Sequence, residues 1–73
     1  SKPFEWEYLK KYLIKELGDG IFNHVQVEEK PLASASIGQV HRALNIQTQD
    51  QMVFKIQYPN VDKAIEADLT ALS

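Results

Sequence analysis

The chain has no cysteine among its 73 residues, which excludes disulfides and thiolate-held metals and leaves the redox compartment unreadable. Excess charge of either sign is also lacking. Eight Lys and Arg stand against ten Asp and Glu, a net charge of −2, which gives no electrostatic reason to expect a polyanionic partner. No apolar run approaches the roughly 20 residues of a membrane-spanning helix, and no signal-peptide pattern is present. Internal repeats, linkers and low-complexity stretches are missing as well. What remains is the composition of an ordinary globular protein, 44% hydrophobic and 25% charged. A chain of this length buries only about 60% of its unfolded surface, so marginal stability is expected. It opens on Ser1 and closes on Ser73 inside a helical pattern, and it reads as an excerpt of a longer protein.

The hydrophobic periodicity predicts an α+β arrangement: a three-stranded antiparallel sheet flanked by an N-terminal and a C-terminal helix. Trp6, Leu9, Leu13 and Leu17 recur at spacings of three and four, with Tyr8 and Tyr12 beside them, predicting a helix over residues 4–17. Pro3 near its start and Gly18 past its end punctuate it. Lys10, Lys11 and Lys15 form its solvated side. Gly18-Asp-Gly20 marks a turn, and Ile21, Phe22 and Val25 offer apolar contacts in a short helical turn. His24 has no second histidine or cysteine at metal-ligand spacing and reads as a surface or packing residue.

Strands are predicted over about 25–33, 37–44 and 51–57, with Pro31 marking an edge or a bend. The polar connection Asn45–Asp50 suits a hairpin, although it lacks the Asn-Gly signal that would set the register. Alternation puts Met52, Phe54 and Ile56 on one face, assigned to the core, and Val53, Lys55 and Gln57 on the other. A second helix is predicted over 60–73. Asn60 is its N-cap, Asp62 lies in its first turn, and Val61, Ala64, Ile65, Leu69 and Leu72 form its stripe. Asp68, at the edge of that stripe, reads as a capping or surface residue.

The chemistry concentrates in two stretches. Ala33-Ser-Ala-Ser36 supplies small side chains of the kind needed where a phosphate must approach backbone N–H groups. Ala and Ser permit that approach by size, without the positive φ that glycine allows, so the loop is expected to be stiff. Ser34 and Ser36 add hydroxyl donors. Lys55, the one charge in the strand Met52–Gln57, could supply a charge-assisted contact of about 1.5–3 kcal/mol to a phosphate oxygen. Gly38 and Val40 share a face on the intervening strand, where a nucleotide base could rest. Either stretch alone is commonplace, since strand lysines are usually surface residues and Ser/Ala runs abound. Together they form a phosphate-binding pattern of kinase-like folds. His41 lacks a visible Ser or Asp partner and is not read as catalytic.

Pro31-Leu-Ala-Ser-Ala-Ser-Ile-Gly-Gln-Val-His-Arg-Ala43, Phe54-Lys-Ile-Gln-Tyr-Pro59 and Ile65-Glu-Ala-Asp-Leu69 resemble the UbiB family of atypical kinase-like proteins, which includes the mitochondrial ADCK proteins and plastid relatives. Phe4-Glu-Trp6 extends the resemblance across nearly the whole chain. The resemblance implies part of the small lobe of a protein-kinase-like fold and ATP or ADP with Mg²⁺ as cofactor. It also implies a role in ubiquinone or related isoprenoid-lipid metabolism, by ATPase or small-molecule kinase activity rather than protein phosphorylation. Isoprenoid-lipid intermediates and lipid-biosynthesis proteins become the implied partners. The family's alanine-rich loop carries over to Ala33, Ser34, Ala35 and Ser36, its phosphate lysine to Lys55, and the nucleotide pocket to Val40 and Val53.

Two departures stand out: Val53 where the family usually has Ala, which narrows an adenine pocket, and Ser34 within the usual Ala-Ala-Ala-Ser. The family's Lys-x-Gly-Gln motif is expected before Ser1. Its lysine-pairing glutamate, catalytic Asp and Asn and metal-binding Asp-Phe-Gly are expected after Ser73, so no catalytic or metal residue is assigned here and the excerpt alone is expected to be inactive.

Two other functional classes fit the sequence less well. Residues 34–44 could be read as a recognition helix, with Gln39, His41 and Arg42 pointing out, but the acidic balance and the absence of a basic stripe oppose nucleic-acid binding. A non-catalytic interaction or scaffold module with a degenerate pocket would bind a protein through the exposed sheet face and be indifferent to Lys55.

Overall fold

The computed structural model describes residues 4–59 and 66–72. Helix α1, Trp6–Leu17, lies over one face of an antiparallel sheet whose strands are β1 (Val25–Val27), β2 (Ala33–Ala35), β3 (Gly38–Asn45), β4 (Gln51–Gln57) and β5 (Glu66–Ala71). The order is β1-β3-β4-β5, and β2 pairs with β3 along the edge that β1 also occupies.

The helix buries Leu9 and Leu13 completely, as the stripe requires. Leu13 joins Val25, Ala43 and Phe54, while Leu9 meets Ile56, so two of the three residues of the predicted inner face are buried and the third, Met52, packs on the core half-buried. Trp6 closes one end of that layer, with its ring 5.8 Å from Phe22 in an edge-to-face arrangement. Gly18, at φ 97, ends the helix where a side chain would be strained, and its N–H caps the Ile14 carbonyl. The short helical turn falls at Ile21–Asn23. Two details of the expected helix change. It begins at Trp6, because the N-cap Glu5 is extended and the Phe4 N–H before it is held by the Gln39 side chain. Leu17 in its last turn is exposed rather than packed. Pro3 lies outside the described residues.

The β3–β4 hairpin fits the alternation closely, with Val40 opposite Lys55 and His41 opposite Phe54. Its register is set without an Asn-Gly turn. The Asn45 carboxamide oxygen accepts from the N–H groups of Gln47 and Thr48, and Gln49 takes the positive φ of 66 that closes the loop.

Two strand expectations need correction. The single strand over 25–33 is interrupted after Val27. The Glu28 N–H still donates to the Arg42 carbonyl and the Leu32 N–H to the Val40 carbonyl, while the residues between them loop away from β3. Pro31, which has no N–H for the ladder, sits within that excursion.

The predicted C-terminal helix is the larger error. Residues 60–65, with Asn60, Val61, Asp62, Ala64 and Ile65, lie outside the described residues, but Glu66–Ala71 forms β5; with 25–33 split into β1 and β2, the described residues make five strands, not three. The stretch Glu66-Ala-Asp-Leu-Thr70 also alternates. Ala67 and Leu69 pack on the core, while Glu66, Asp68 and Thr70 point the other way. Over so short a run helical and strand periods coincide, and pairing β5 against β4 satisfies the main-chain groups of an otherwise open edge.

Candidate functional site

The sheet face turned away from α1 is the one left for function. On it lie Gly38 and Val40 of β3, Val53, Lys55 and Gln57 of β4, and Asp68 of β5, because cross-strand partners share a face. Lys55 is solvent-exposed, flanked by Val40 on one side and by Asp68 on the other. Opposite charges therefore stand as cross-strand neighbours on β4 and β5.

The small residues form a strand and a tight turn rather than a free loop. Ala33 pairs with Val40, Ser34 with Gln39 and Ala35 with Gly38, leaving Ser36 and Ile37 as a two-residue tip. Neither tip residue has positive φ, consistent with a turn built from Ser and Ile rather than glycine. Because Ala33 and Ala35 carry only methyl groups, the hairpin leaves a shallow, nearly apolar depression of about 290 Å³. Ala33, Ser34, Ala35, Val40 and Lys55 all line it, so five of the seven residues singled out in the sequence meet there. Ser36 lies beyond its rim. Val53 sits one pair further along the same face, in a separate groove of about 590 Å³ beside Arg42, Gln26 and Met52. Arg42 and Glu28 approach to 3.9 Å in that groove, both largely exposed, so the pair contributes little.

The depression also takes in Gly38 and Ile37, and Gly38 has a physical reason to lack a side chain. A Cβ there would collide with the Ile56 carbonyl oxygen, so only glycine lets β3 approach β4 at the floor of the depression. Lys55 further borders a second hollow of about 290 Å³ shared with Gln57, Glu66 and Asp68. Among the described residues, no group of three His, Asp or Glu side chains could hold a metal ion.

Beneath the floor lies a polar cluster that the sequence reading missed. Gln39 and His41 are buried on the core face, 2% and 0% exposed, where alternation calls for apolar residues. That mismatch was the available signal. The Gln39 Oε1 accepts from the Phe4 N–H at 2.8 Å and from the Tyr58 hydroxyl at 2.7 Å. Its Nε2 lies 2.8 Å from His41 Nε2, and His41 Nδ1 lies 2.8 Å from the Glu28 carbonyl oxygen. With the Gln39 oxygen already committed to two donors, its amide N–H must donate to His41 Nε2. The imidazole then donates through Nδ1–H to Glu28, which assigns the neutral Nδ1–H tautomer. No buried side-chain polar atom among the described residues lacks a partner.

The family model for the ABC1 atypical kinase-like domain matches residues 1–73. The atypical kinase COQ8, mitochondrial, of Schizosaccharomyces pombe is 41% identical over 66 residues, covering 89% of this chain and 11% of that protein. The probable protein kinase UbiB of Vibrio parahaemolyticus is 40% identical over 68 residues, covering 92% of this chain and 12% of its own length. The Arabidopsis thaliana protein ACTIVITY OF BC1 COMPLEX KINASE 7, chloroplastic, is 39% identical over 70 residues, 94% of this chain and 10% of that one. This chain therefore spans about a tenth of the length of these relatives. No solved structure matches it. The chain, with its small-residue hairpin and strand lysine, belongs to the ABC1 atypical kinase-like family.

Proposed function

We propose that these residues form the phosphate-gripping wall of a nucleotide site in an atypical kinase or ATPase, which takes ATP or ADP with Mg²⁺. The observation that carries this reading is the position of Lys55 on the rim of a depression whose other wall is Ala33 and Ala35, while Ser34 between them shares the face of Gln39 and lines the depression only from the strand itself. Methyl-sized side chains keep that wall low enough for a polyphosphate to approach main chain, and the ammonium group offers a charge-assisted contact. At about 290 Å³ the hollow is at the lower limit for a ligand pocket, the size expected of one wall of a cleft rather than a complete site. When bound, the nucleotide supplies the transferable phosphoryl group; these residues bind and orient it. Phosphoryl acceptor, metal ligands and general base belong to other parts of the intact protein in this reading. Its metabolic setting is ubiquinone or related isoprenoid-lipid metabolism, with isoprenoid-lipid intermediates and lipid-biosynthesis proteins as partners.

Thermal-shift titration of the intact protein with Mg²⁺ and either nucleotide, wild type beside Lys55→Ala, tests the proposal. A ligand that binds only the folded state adds about 2.7 kcal/mol at a hundredfold excess over Kd. The expected result is a shift in the wild type that Lys55→Ala abolishes. A folded wild type that shifts with neither nucleotide refutes the reading and leaves a scaffold with a degenerate pocket.

A further inference from the structure

The buried cluster of Gln39 and His41 lies directly behind the proposed phosphate wall, and its connections go further than packing requires. Residues 38 to 41 alternate across the sheet. Gly38 and Val40 floor the depression, while Gln39 and His41 point into the interior. Each of the two polar side chains grips main chain or hydroxyl groups from segments distant in sequence. Gln39 holds Phe4, 35 positions away, at the entry to α1, and Tyr58 just past β4. His41 holds the Glu28 carbonyl at the start of the excursion before β2. The same segments touch the hairpin directly. The Tyr58 N–H donates to the Ile37 carbonyl at its tip, and the Leu32 N–H to the Val40 carbonyl at its base. The Phe4 ring also packs against Tyr58 in a tilted arrangement, with ring centroids 4.7 Å apart.

Apolar side chains of similar shape would hold the layer together as well, since a buried hydrogen-bonded set gains little over a well-packed hydrophobic one. What directional bonds add is placement. The Gln39 amide can satisfy Phe4, Tyr58 and His41 together in only one orientation, and the His41 ring can then reach Glu28 through only one nitrogen. A shift of Phe4 would break that alignment and unsettle β3 from behind.

We propose that Gln39 and His41 are positioning residues, which set the height of the small-residue hairpin above Lys55 and tie it to the segment that leads into α1. The proposal rests on the nucleotide reading for its functional consequence but not for its structural one, so two measurements separate them. Gln39→Met removes the bonds at nearly constant volume, and Gln39→Glu keeps the two acceptor contacts to Phe4 and Tyr58.

In the intact protein, hydrogen exchange at the Leu32 and Tyr58 amides is expected to quicken roughly tenfold or more in Gln39→Met. The ladder amides between β4 and β5 should hardly change, and Gln39→Glu, which keeps the acceptor contacts but offers His41 no donor, should restore protection at Tyr58 more than at Leu32. A uniform rise at all these amides would reduce the cluster to general stability and overturn the proposal. At a temperature where both proteins are folded, the Kd for ADP with Mg²⁺ should rise about tenfold in Gln39→Met as well. Unchanged affinity, where the wild type binds, overturns the link to the site. Absence of binding in the wild type refutes the nucleotide reading instead, and the exchange pattern still decides the clamp. If Gln39→Met does not fold, the ¹⁵N shifts of His41 in the wild type serve in its place. The Nδ1–H tautomer is expected, and the Nε2–H tautomer would refute the chain of bonds from Gln39 through His41 to Glu28 on which the positioning role rests.

Discussion

Gly38→Ala is the most economical probe of the hairpin geometry. The added Cβ meets the Ile56 carbonyl oxygen at a separation that must be relieved, and it also lies 3.3 Å from the Gln57 Cα and the Ile56 carbonyl carbon. All three are main-chain atoms, so no rotamer change can make room. Relief requires β3 and β4 to separate at the Gly38–Gln57 pair. Overpacking of this kind costs about 1–3 kcal/mol. Alanine returns about 0.4–1 kcal/mol by restricting the unfolded chain, so a net loss near 1–2 kcal/mol is expected. Gly20→Ala supplies the control within the same protein. Its φ of −86 suits alanine, and its nearest neighbour would be the Asn23 amide nitrogen at 3.9 Å. It should be neutral or slightly stabilising.

The assay is denaturant unfolding of the intact protein and both variants, followed by a probe within these residues such as Trp6 fluorescence, with stability compared through the midpoint at constant slope. Equal midpoints for Gly38→Ala and Gly20→Ala would refute the close approach of β3 to β4. Nucleotide affinity should fall in Gly38→Ala alone, because only that change displaces the floor beside Lys55.

Two further expectations concern stability and titration. Phe54 is fully buried between Leu13, Val25 and Ala43, so Phe54→Ala should cost about 3–5 kcal/mol, measurable as a lowered unfolding midpoint. The Tyr12 phenol is held above its ordinary range by partial burial first, and then by the Glu16 carboxylate that accepts its hydrogen bond at 3.0 Å. Its folded form keeps the proton longer than the unfolded chain does. The associated stability is present below the unfolded pKa and lost as pH rises through the folded one. Ultraviolet titration should show a phenol ionising above the ordinary tyrosine range, and Tyr12→Phe should remove that contribution.

Much of the site was legible because it depends on short-range pattern. Alternation in Met52–Gln57 is enough to put Lys55 opposite the core face, since the period of a strand is two whatever its neighbours are. Small residues in Ala33–Ala35 are likewise visible as such, although their pairing with β3 is not. Val53 shares the Lys55 face, yet the structure puts it in a different groove further along the ladder, because the segments that wall each groove come from β1 and β2, which one-dimensional spacing does not place.

Sequence by itself determined a helix within residues 4–17, the β3–β4 hairpin, the face that carries Lys55 and membership of the ABC1 family. Each rests on local periodicity or a contiguous motif. Tertiary structure decided the rest. Glu66–Ala71 satisfies helical and strand periods alike, and pairing with the open edge of β4 resolves the ambiguity toward a strand. Gln39 and His41 were polar residues without partners in the sequence, because Phe4, Tyr58 and Glu28 come to them only when the helix entry, the end of β4 and the pre-β2 excursion converge. Burial then makes those bonds obligatory, since a polar group removed from water must find its partner inside the protein.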